Sequence, residues 1–154
     1  MAAEISIERV IAAPADELWA RVANIERMGD LSPENIGGKW LGGATGPAVG
    51  AKFKGDNQNG KKKWSTTGRV IECEPGRVFA FDVTSGPVKV ARWTYRFEPA
   101  DDGCRVTETW NDARGKFVVF MGKLVSGVGD RATHNRASME TTLERLAALT
   151  ESTG

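Results

Sequence analysis

The predicted strand Cys104–Trp110 carries a carboxylate on its apolar face, because Cys104, Val106, Glu108 and Trp110 alternate to the same side. A carboxylate among apolar side chains is costly to bury unless something compensates it. Desolvation raises the pKa of such a group, which would let Glu108 protonate or deprotonate a bound ligand near neutral pH. Glu108 is therefore the candidate catalytic residue.

Three further residues carry reactive groups, and each has a simpler interpretation. His134 falls on a predicted helix about 140° around the axis from the inward-facing Met139, so we expect it to be exposed. Cys73 and Cys104 have no base near them in sequence, which favours buried structural thiols. One histidine and two distant cysteines give no zinc spacing, and no dinucleotide-binding motif is present, so we expect no metal and no cofactor.

Short strands separated by turn residues occupy the first two thirds of the chain. Apolar and polar residues alternate clearly in several of them, which gives each strand one apolar and one wet face. Asp56–Gly60 is typical of a hairpin tip because Asn and Gly accept positive φ. The predicted strands are Glu4–Ile11, Lys39–Leu41, Ala51–Gly55, Lys63–Cys73, Val78–Thr84, Ala91–Phe97 and Cys104–Trp110.

Helical spacing predicts two short helices after the first strand and a long one at the C-terminal end. The first is Pro14–Ala23, which opens with proline and two acidic residues, and a second turn lies near Ile25–Met28. Phe117–Val125 is apolar and helical, and Gly127–Gly129 favours a kink or a break after it. Arg131–Thr150 then places a broad apolar stripe on one helix face.

This order of elements predicts an α+β fold, in which a curved antiparallel sheet of about seven strands has a long C-terminal helix over its concave face. One helix cannot cover that many strands, so inward side chains that it does not touch should line a cavity. Phe79, Phe97 and Trp19 are better explained as core, and Glu34 is placed to reach the cavity entrance. The expected ligand-binding residues are Trp40, Phe53, Trp64, Phe81, Trp93, Tyr95, Trp110, Met121, Asn135 and Met139.

Length and composition limit the classes of function. The 154 residues suit one domain over 1–154, and no apolar run approaches the roughly 20 residues of a spanning helix, so we expect no membrane insertion. A net charge of +1 gives no general attraction to nucleic acid. The Lys61-Lys62-Lys63 run is most simply a solvated strand end, and a phosphate-binding patch is the sharper interpretation. The N-terminus lacks a secretory pattern, so we expect a cytoplasmic protein, as a monomer or weak homodimer.

A series of motifs from Ile11 to Asn135 is similar to one known superfamily. They are Ile11-Ala12-Ala13-Pro14 with Leu18-Trp19, Met28-Gly29-Asp30-Leu31-Ser32-Pro33-Glu34, Gly42-Gly43-Ala44 with Pro47-x-Val49-Gly50, Trp64-Ser65-Thr66-Thr67, Glu74-Pro75-Gly76 with Phe79-x-Phe81-Asp82-Val83, Arg92-Trp93-x-Tyr95, Val106-Thr107-Glu108-x-Trp110 and Asp130-Arg131-Ala132-x-His134-Asn135. In these the chain resembles the SRPBCC superfamily of START-like and birch-pollen-allergen-like "helix-grip" proteins, and specifically its polyketide cyclase/dehydrase branch. The resemblance implies a cavity between the sheet and the C-terminal helix. Members carry lipids, sterols, plant hormones and polyketides, and some cyclise or dehydrate aromatic polyketides.

The resemblance also bears on Glu108. It implies that the first strand lies beside the last, so that an ion pair between Arg9 and Glu108 is expected ahead of catalysis. Asp112 and Asn135 would complete a polar corner, although a hydrogen bond from Asn135 to strand backbone is the commoner arrangement.

Three hypotheses for the function result. The preferred one is a binding or carrier protein for a hydrophobic small molecule, either a lipid or a polyketide-like compound, because inward tryptophans are present and a catalytic set is not. The second is a polyketide cyclase or dehydratase in which Glu108 is the acid/base and Arg9 or Asn135 orients an enolate. The third, implied by the resemblance, is a self-resistance protein that sequesters a reactive natural product or is sacrificed to it.

Overall fold

A seven-stranded antiparallel sheet forms the frame of the protein and confirms the α+β helix-grip architecture. The structure, a computed structural model, describes residues 4–115 and 131–151. Its helices are α1 (Ala15–Ala23), a 3₁₀ helix (Ile25–Asp30) and α2 (Arg131–Glu151). Its strands are β1 (Glu4–Ile11), β2 (Asn35–Trp40), β3 (Lys52–Asn59), β4 (Lys62–Glu74), β5 (Val78–Ser85), β6 (Val88–Ala100) and β7 (Gly103–Asp112).

Neighbouring strands pair in the order β1-β7-β6-β5-β4-β3-β2. From β2 to β7 each strand follows its predecessor as a hairpin or meander, whereas β1 returns to pair with the last strand. The first and second strands of the sequence are therefore the two edges of the sheet. Because side chains alternate along each strand, the inward set of every strand faces the same concave side.

Two short helices lie between β1 and β2, as the sequence predicted. Pro14 precedes α1 in an extended conformation, and two acidic residues in the first turn lie at the positive end of the helix dipole. Leu18 and Val22 are buried on one face of α1. The 3₁₀ helix then buries Ile25 and Met28, so the chain enters β2 already packed on the sheet.

Helix α2 packs along the concave side of the sheet. Its stripe of buried residues includes Leu143 and Leu146, which join a large apolar cluster with α1 and the sheet. Met139, one turn earlier, belongs to a smaller cluster with Trp110 and Ala91. Both clusters contribute side chains to a cavity between α2 and the sheet, so the packed core ends where the cavity begins.

Several predicted element boundaries are wrong, and most errors concern one hairpin. Asp56–Gly60 is not its tip, since β3 runs to Asn59 and the turn is Gly60 with Lys61, where Gly60 has a φ of +61°. Polar side chains hold the strand pair together there, because Ser65 donates a hydrogen bond to Asp56 across the strands at 2.6 Å. Strand β2 begins four residues earlier than predicted, at Asn35.

The turn between β6 and β7 is shorter than the gap between the predicted strands Ala91–Phe97 and Cys104–Trp110, since β6 continues to Ala100 and β7 begins at Gly103. The predicted helix Phe117–Val125 and the break at Gly127–Gly129 lie outside the described residues. Helix α2 itself covers nearly the predicted Arg131–Thr150.

Candidate functional site

A cavity of about 410 Å³ lies between the concave face of the sheet and α2. Its walls come from β3 to β7, from α2, and from the segment that leads from the 3₁₀ helix into β2. The structure brings together nine of the side chains singled out from the sequence: Phe53, Trp64, Phe81, Trp93, Tyr95, Glu108, Trp110, Asn135 and Met139. Six of these are aromatic, and serine, threonine, asparagine and charged side chains complete the lining.

The aromatic rings pack against one another as well as facing the cavity. Phe53 meets Phe81 edge-on with ring centroids 5.2 Å apart, and Trp93 lies 6.5 Å from Trp110. The ring of Phe53 lies directly over Gly68, where a Cβ atom would overlap the ring. Glycine at 68 is therefore required for Phe53 to lie flat on the sheet, and these contacts give the wall a defined shape.

The two other predicted ligand-binding residues are Trp40 and Met121. Trp40 is not among the residues that line the cavity; it packs edge-on behind Phe53, with ring centroids 5.7 Å apart. It supports a lining residue instead of lining the cavity itself, which corrects the prediction. Met121 lies outside the described residues.

Glu108 is buried, with 2% of its surface exposed, and it lines the cavity. The hydroxyl of Tyr95, directly opposite on β6, donates a hydrogen bond of 2.7 Å to its Oε2. Its other oxygen, Oε1, has no hydrogen-bond partner among the described residues. Burial raises the pKa of Glu108 from its usual 4.5 to about 8, and the hydrogen bond from Tyr95 opposes this only in part.

Tyr95 remains neutral beside this carboxyl. Burial, together with the charge of Glu108 and the hydrogen bond to it, raises the pKa of Tyr95 well above its ordinary value. The phenol thus acts as a fixed hydrogen-bond donor that orients the carboxyl group. The pair consists of two neutral acids at neutral pH, which is the less costly way to bury them.

The prediction of an ion pair between Arg9 and Glu108 is wrong. Strand β1 does pair with β7, as the resemblance implied, but Ile7 lies opposite Glu108 and Arg9 lies opposite Val106. Arg9 is exposed to solvent on this edge strand. Within 4–115 and 131–151, Glu108 forms no ion pair, so no counter-charge there favours its ionised form.

Asp112, four residues further along β7, is held by Arg114 instead. The guanidinium donates from Nε to Oδ1 at 2.8 Å and from Nη2 to Oδ2 at 2.9 Å, and the backbone N–H of Arg114 also bonds Oδ1. Burial by itself would raise the pKa of Asp112, but the hydrogen bonds and charge of Arg114, with a contribution from Arg131, lower it overall. Within the predicted polar corner, Asp112 is therefore held by Arg114, and the charge of Arg131 also acts on it.

Glu34, predicted at the cavity entrance, contacts two residues in the first turn of α2 and forms a polar cluster with them. It accepts hydrogen bonds from Nη1 of Arg131 at 2.8 and 2.9 Å, and its Oε2 lies 3.1 Å from Nε2 of His134. The Arg131 guanidinium also lies 5.9 Å from the ring centroid of Trp64. This cluster ties the segment before β2 to α2 along one side of the cavity.

Two predictions for α2 need correction at this cluster. His134 is half-buried and not fully exposed, because Glu34 reaches it. Asn135 is buried at 5% exposure, and its side-chain oxygen accepts a long hydrogen bond of 3.3 Å from Arg131, one helical turn earlier, and not from strand backbone.

The remaining reactive groups behave as structural residues. Cys104 is buried, Cys73 is half-buried, and burial raises the pKa of both thiols. Within the described segments no cluster of three His, Cys, Asp or Glu side chains has the geometry of a metal site. In the same segments no helix combines the length and apolarity needed to cross a membrane.

Sequence reasoning missed Arg114 and Arg131, both of which line the cavity. Each is paired with a carboxylate, at 112 and at 34, so the cavity walls carry cations that are already neutralised. The Asp112-Ala113-Arg114 spacing was a local signal for the first pair, since a side chain two residues on can fold back. The second pair joins residues 97 apart in sequence and had no such signal.

A curved sheet that grips a C-terminal helix around an aromatic cavity defines a helix-grip protein. The chain belongs to the polyketide cyclase/dehydrase and lipid transport family, which it matches over residues 2–151. This confirms the superfamily resemblance found in the sequence motifs. No curated protein matches the chain.

Solved structures support the same fold. The di-domain aromatase/cyclase StfQ from the steffimycin biosynthetic pathway aligns with a TM-score of 0.76 at 12% identity, over 99% of this chain and 51% of StfQ, so the chain spans about half of that protein. Major latex-like protein 151 from Panax ginseng aligns with a TM-score of 0.74 at 11% identity over 97% of both chains. A polyketide-cyclase-like protein from Corynebacterium glutamicum is 32% identical, with a TM-score of 0.55 over 97% of this chain and 83% of its own.

Proposed function

We propose that the protein binds a hydrophobic small molecule, polyketide-like or lipid, in the cavity and holds it against the neutral carboxyl group of Glu108. One observation carries the proposal: a cavity of about 410 Å³ with aromatic rings in its wall is lined by a buried carboxyl group, one oxygen of which has no partner within residues 4–115 and 131–151. Small-molecule sites usually measure about 300–1,000 Å³ and are mostly apolar with a few placed polar groups. The family and the solved neighbours are consistent with this role.

The state of Glu108 indicates which chemical group the ligand presents. Below its pKa of about 8 the carboxyl is protonated, and since Tyr95 donates to Oε2, the acidic proton belongs on Oε1. We place this Oε1–H toward the cavity, which Glu108 lines, where it would act as a donor. A ligand with a carbonyl or phenolic oxygen would satisfy it, whereas a pure hydrocarbon would leave it unpaired at a cost of about 1–3 kcal/mol.

Adjacent residues of β4 offer a matched test of the cavity. Thr66 lines it, whereas Thr67 faces the opposite side of the sheet. The Thr66→Trp variant should fill part of the cavity and weaken binding about tenfold or more, and Thr67→Trp should bind as the wild type does. Binding is measured by quenching of tryptophan fluorescence with two probes, an anthraquinone that bears ring carbonyls and oleic acid.

Native mass spectrometry of protein purified without detergent complements the titration, because it detects a ligand that is retained from the host. Failure of the wild type to bind either probe, together with an empty protein in the mass spectrum, would refute the proposal. Equal affinities for the two tryptophan variants would place the binding site elsewhere.

A second candidate function, cyclisation or dehydration of a polyketide, is favoured by the same unpaired Oε1. An acid with a pKa near the working pH is suited to proton transfer in both directions. In a dehydration, Oε1–H would protonate a departing hydroxyl as its C–O bond breaks, and the resulting carboxylate would take the proton from the neighbouring carbon. Glu108→Gln should then abolish turnover of a poly-β-ketone thioester while the binding of that compound remains; an unchanged rate excludes Glu108 from catalysis.

A further inference from the structure

The outer face of strands β2 to β4 carries a concentration of positive charge that the cavity does not use. It consists of Lys39, Lys52, Lys54, Lys63 and Arg69, all exposed, and we call this set the basic corner. These residues alternate with Phe53, Gly55, Thr66 and Gly68, which line the cavity, so they face away from it. The net charge of the whole chain is only +1, so the charge here is a local feature.

The basic corner pairs like charges directly across neighbouring strands. Lys39 lies opposite Lys54, and Lys52 lies opposite Arg69. Like charges in such positions destabilise a sheet. In the described part of the chain, only Lys54 among the five has a carboxylate within ion-pair distance, Asp56 at 3.6 Å, and Ser65 already donates a hydrogen bond of 2.6 Å to that carboxylate.

The rest of the outer face shows the opposite pattern. There Arg92 pairs with Asp82 at 2.7 Å. Arg96 pairs with Glu72 at 3.7 Å, and Arg105 with Glu8 at 3.9 Å. Among the described residues, the same surface thus has three ion pairs toward β1, although Lys89 on β6 has none there, and five cations with a single ion pair toward β2. Arg69 lies opposite Asp82, but Asp82 is already paired with Arg92, so an external anion would relieve repulsion that the nearby carboxylates do not offset.

Exposed aliphatic residues beside the basic corner indicate what kind of anion fits. Val49 is 66% exposed, and the next two residues hydrogen-bond to Val70, which places Val49 beside the Lys52 and Arg69 pair. Ile36, 53% exposed, lies on the edge strand β2. Lysine and arginine next to aliphatic side chains are typical of surfaces that meet anionic headgroups and the acyl boundary of a bilayer. Single-stranded nucleic acid would call for exposed aromatic rings, and the large hydrophobic residues exposed in the described segments are all aliphatic.

We propose that the basic corner docks the protein on the surface of an anionic phospholipid bilayer. Docking is peripheral and depends on salt, because exposed charges are screened by ions. The inference does not rest on the proposed function, since none of the five side chains lines the cavity. It can therefore fail while ligand binding holds, or hold while ligand binding fails.

Co-sedimentation with vesicles tests the docking surface. The vesicles are phosphatidylcholine alone or phosphatidylcholine mixed with phosphatidylglycerol, each at low and high salt. The test variant Lys52→Gln/Arg69→Gln removes two charges of the basic corner. The control Arg96→Gln/Arg105→Gln removes two charges from the same outer face and breaks only exposed ion pairs, so both variants have the same net charge.

The wild type and the control should bind the anionic vesicles at low salt and release them at high salt. The test variant should bind about 30-fold more weakly, because each basic residue near an anionic surface contributes roughly a fivefold factor. Equal binding by the two variants would overturn the proposal, as would equal binding of the wild type to neutral vesicles. Binding to soluble polyglutamate without binding to vesicles would also overturn it, and would assign the basic corner to an acidic protein.

Discussion

Glu108 and Asp112 lie four residues apart on β7, and their pKa values are shifted in opposite directions. Burial raises the pKa of Glu108 to about 8, since the one hydrogen bond it receives from the described residues comes from the neutral hydroxyl of Tyr95. Burial acts on Asp112 in the same direction, but the bidentate guanidinium of Arg114 outweighs it, and the pKa of Asp112 is lowered. One carboxyl is therefore neutral at pH 7 and the other is ionised.

The hydrogen-bond partner, and not burial alone, therefore decides whether each carboxyl group is ionised at pH 7. Asp112 already has its counter-charge, and its hydrogen bonds fix the end of the strand. Glu108 lines the cavity, and its Oε1 has no hydrogen-bond partner among the described residues. A bound molecule could supply that partner. The candidate functional group is the acid that the fold leaves incomplete.

The largest expected effect comes from Glu108→Gln, measured as the pH dependence of stability. Below pH 4.5 the carboxyl is protonated in both the folded and unfolded chain, so it adds no pH dependence. Between 4.5 and about 8 only the unfolded chain gives up the proton, and the free energy of unfolding of the wild type falls by about 1.4 kcal/mol per pH unit. Relative to the wild type, the variant should gain on the order of 4–5 kcal/mol over this range.

Urea denaturation at a series of pH values measures this difference. Glu144→Gln, on the exposed side of α2, is the matched control and should follow the wild-type curve. If the curves of the wild type and Glu108→Gln ran parallel from pH 4.5 to 8, Glu108 would not be neutral in the folded protein.

Arg114→Gln should leave Asp112, like Glu108, without a cationic partner. It leaves the half-buried Asp112 without its guanidinium, so the pKa of Asp112 should rise, and the protein should lose about 1.5–3 kcal/mol of stability at pH 7 with the hydrogen bonds to this charged group. The loss should shrink as the pH falls and Asp112 becomes protonated. Urea unfolding of the double variant Asp112→Asn/Arg114→Gln provides the control, because removing both charges should restore most of the stability. A double variant no better than the single one would contradict the assigned role of the pair.

Tyr95→Phe tests how far the hydrogen bond from Tyr95 sets the pKa of Glu108. The hydroxyl lowers the pKa of Glu108 and satisfies Oε2, so its removal should raise that pKa above 8 and cost about 1–1.5 kcal/mol of stability. The midpoint of the pH-dependent stability curve reports the first effect, and urea unfolding at pH 5 reports the second. A midpoint that stays the same or moves to lower pH would show that the phenol does not orient the carboxyl.

Alternation along strands was sufficient to predict the sheet and most of the cavity wall, because a period of two assigns each side chain to a face. The pairing of Tyr95 with Glu108 was also within reach, since folding β6 onto β7 about Asp101 and Asp102 places them opposite each other. The Arg9 prediction failed because neighbouring strands alone do not fix register, and Arg9 lies opposite Val106, two residues from Glu108.

Contacts between distant segments were beyond the sequence. Glu34 was predicted near the entrance, but its partners Arg131 and His134 are about a hundred residues away, and only the packing of α2 brings them together. Trp40 was predicted to line the cavity because it is a large inward aromatic residue. A ring in a second layer, behind Phe53, has the same sequence pattern as a lining ring.

The most direct test of the account is the titration of the Glu108 carboxyl carbon by ¹³C NMR, with the signal assigned by its loss in Glu108→Gln. We predict a titration midpoint of Glu108 near pH 8 in the protein without added ligand. Addition of the anthraquinone probe should raise the midpoint further, because a bound carbonyl oxygen favours the protonated acid. A midpoint between 4 and 5 would mean that Glu108 is ionised in the cavity, and would contradict the central claim.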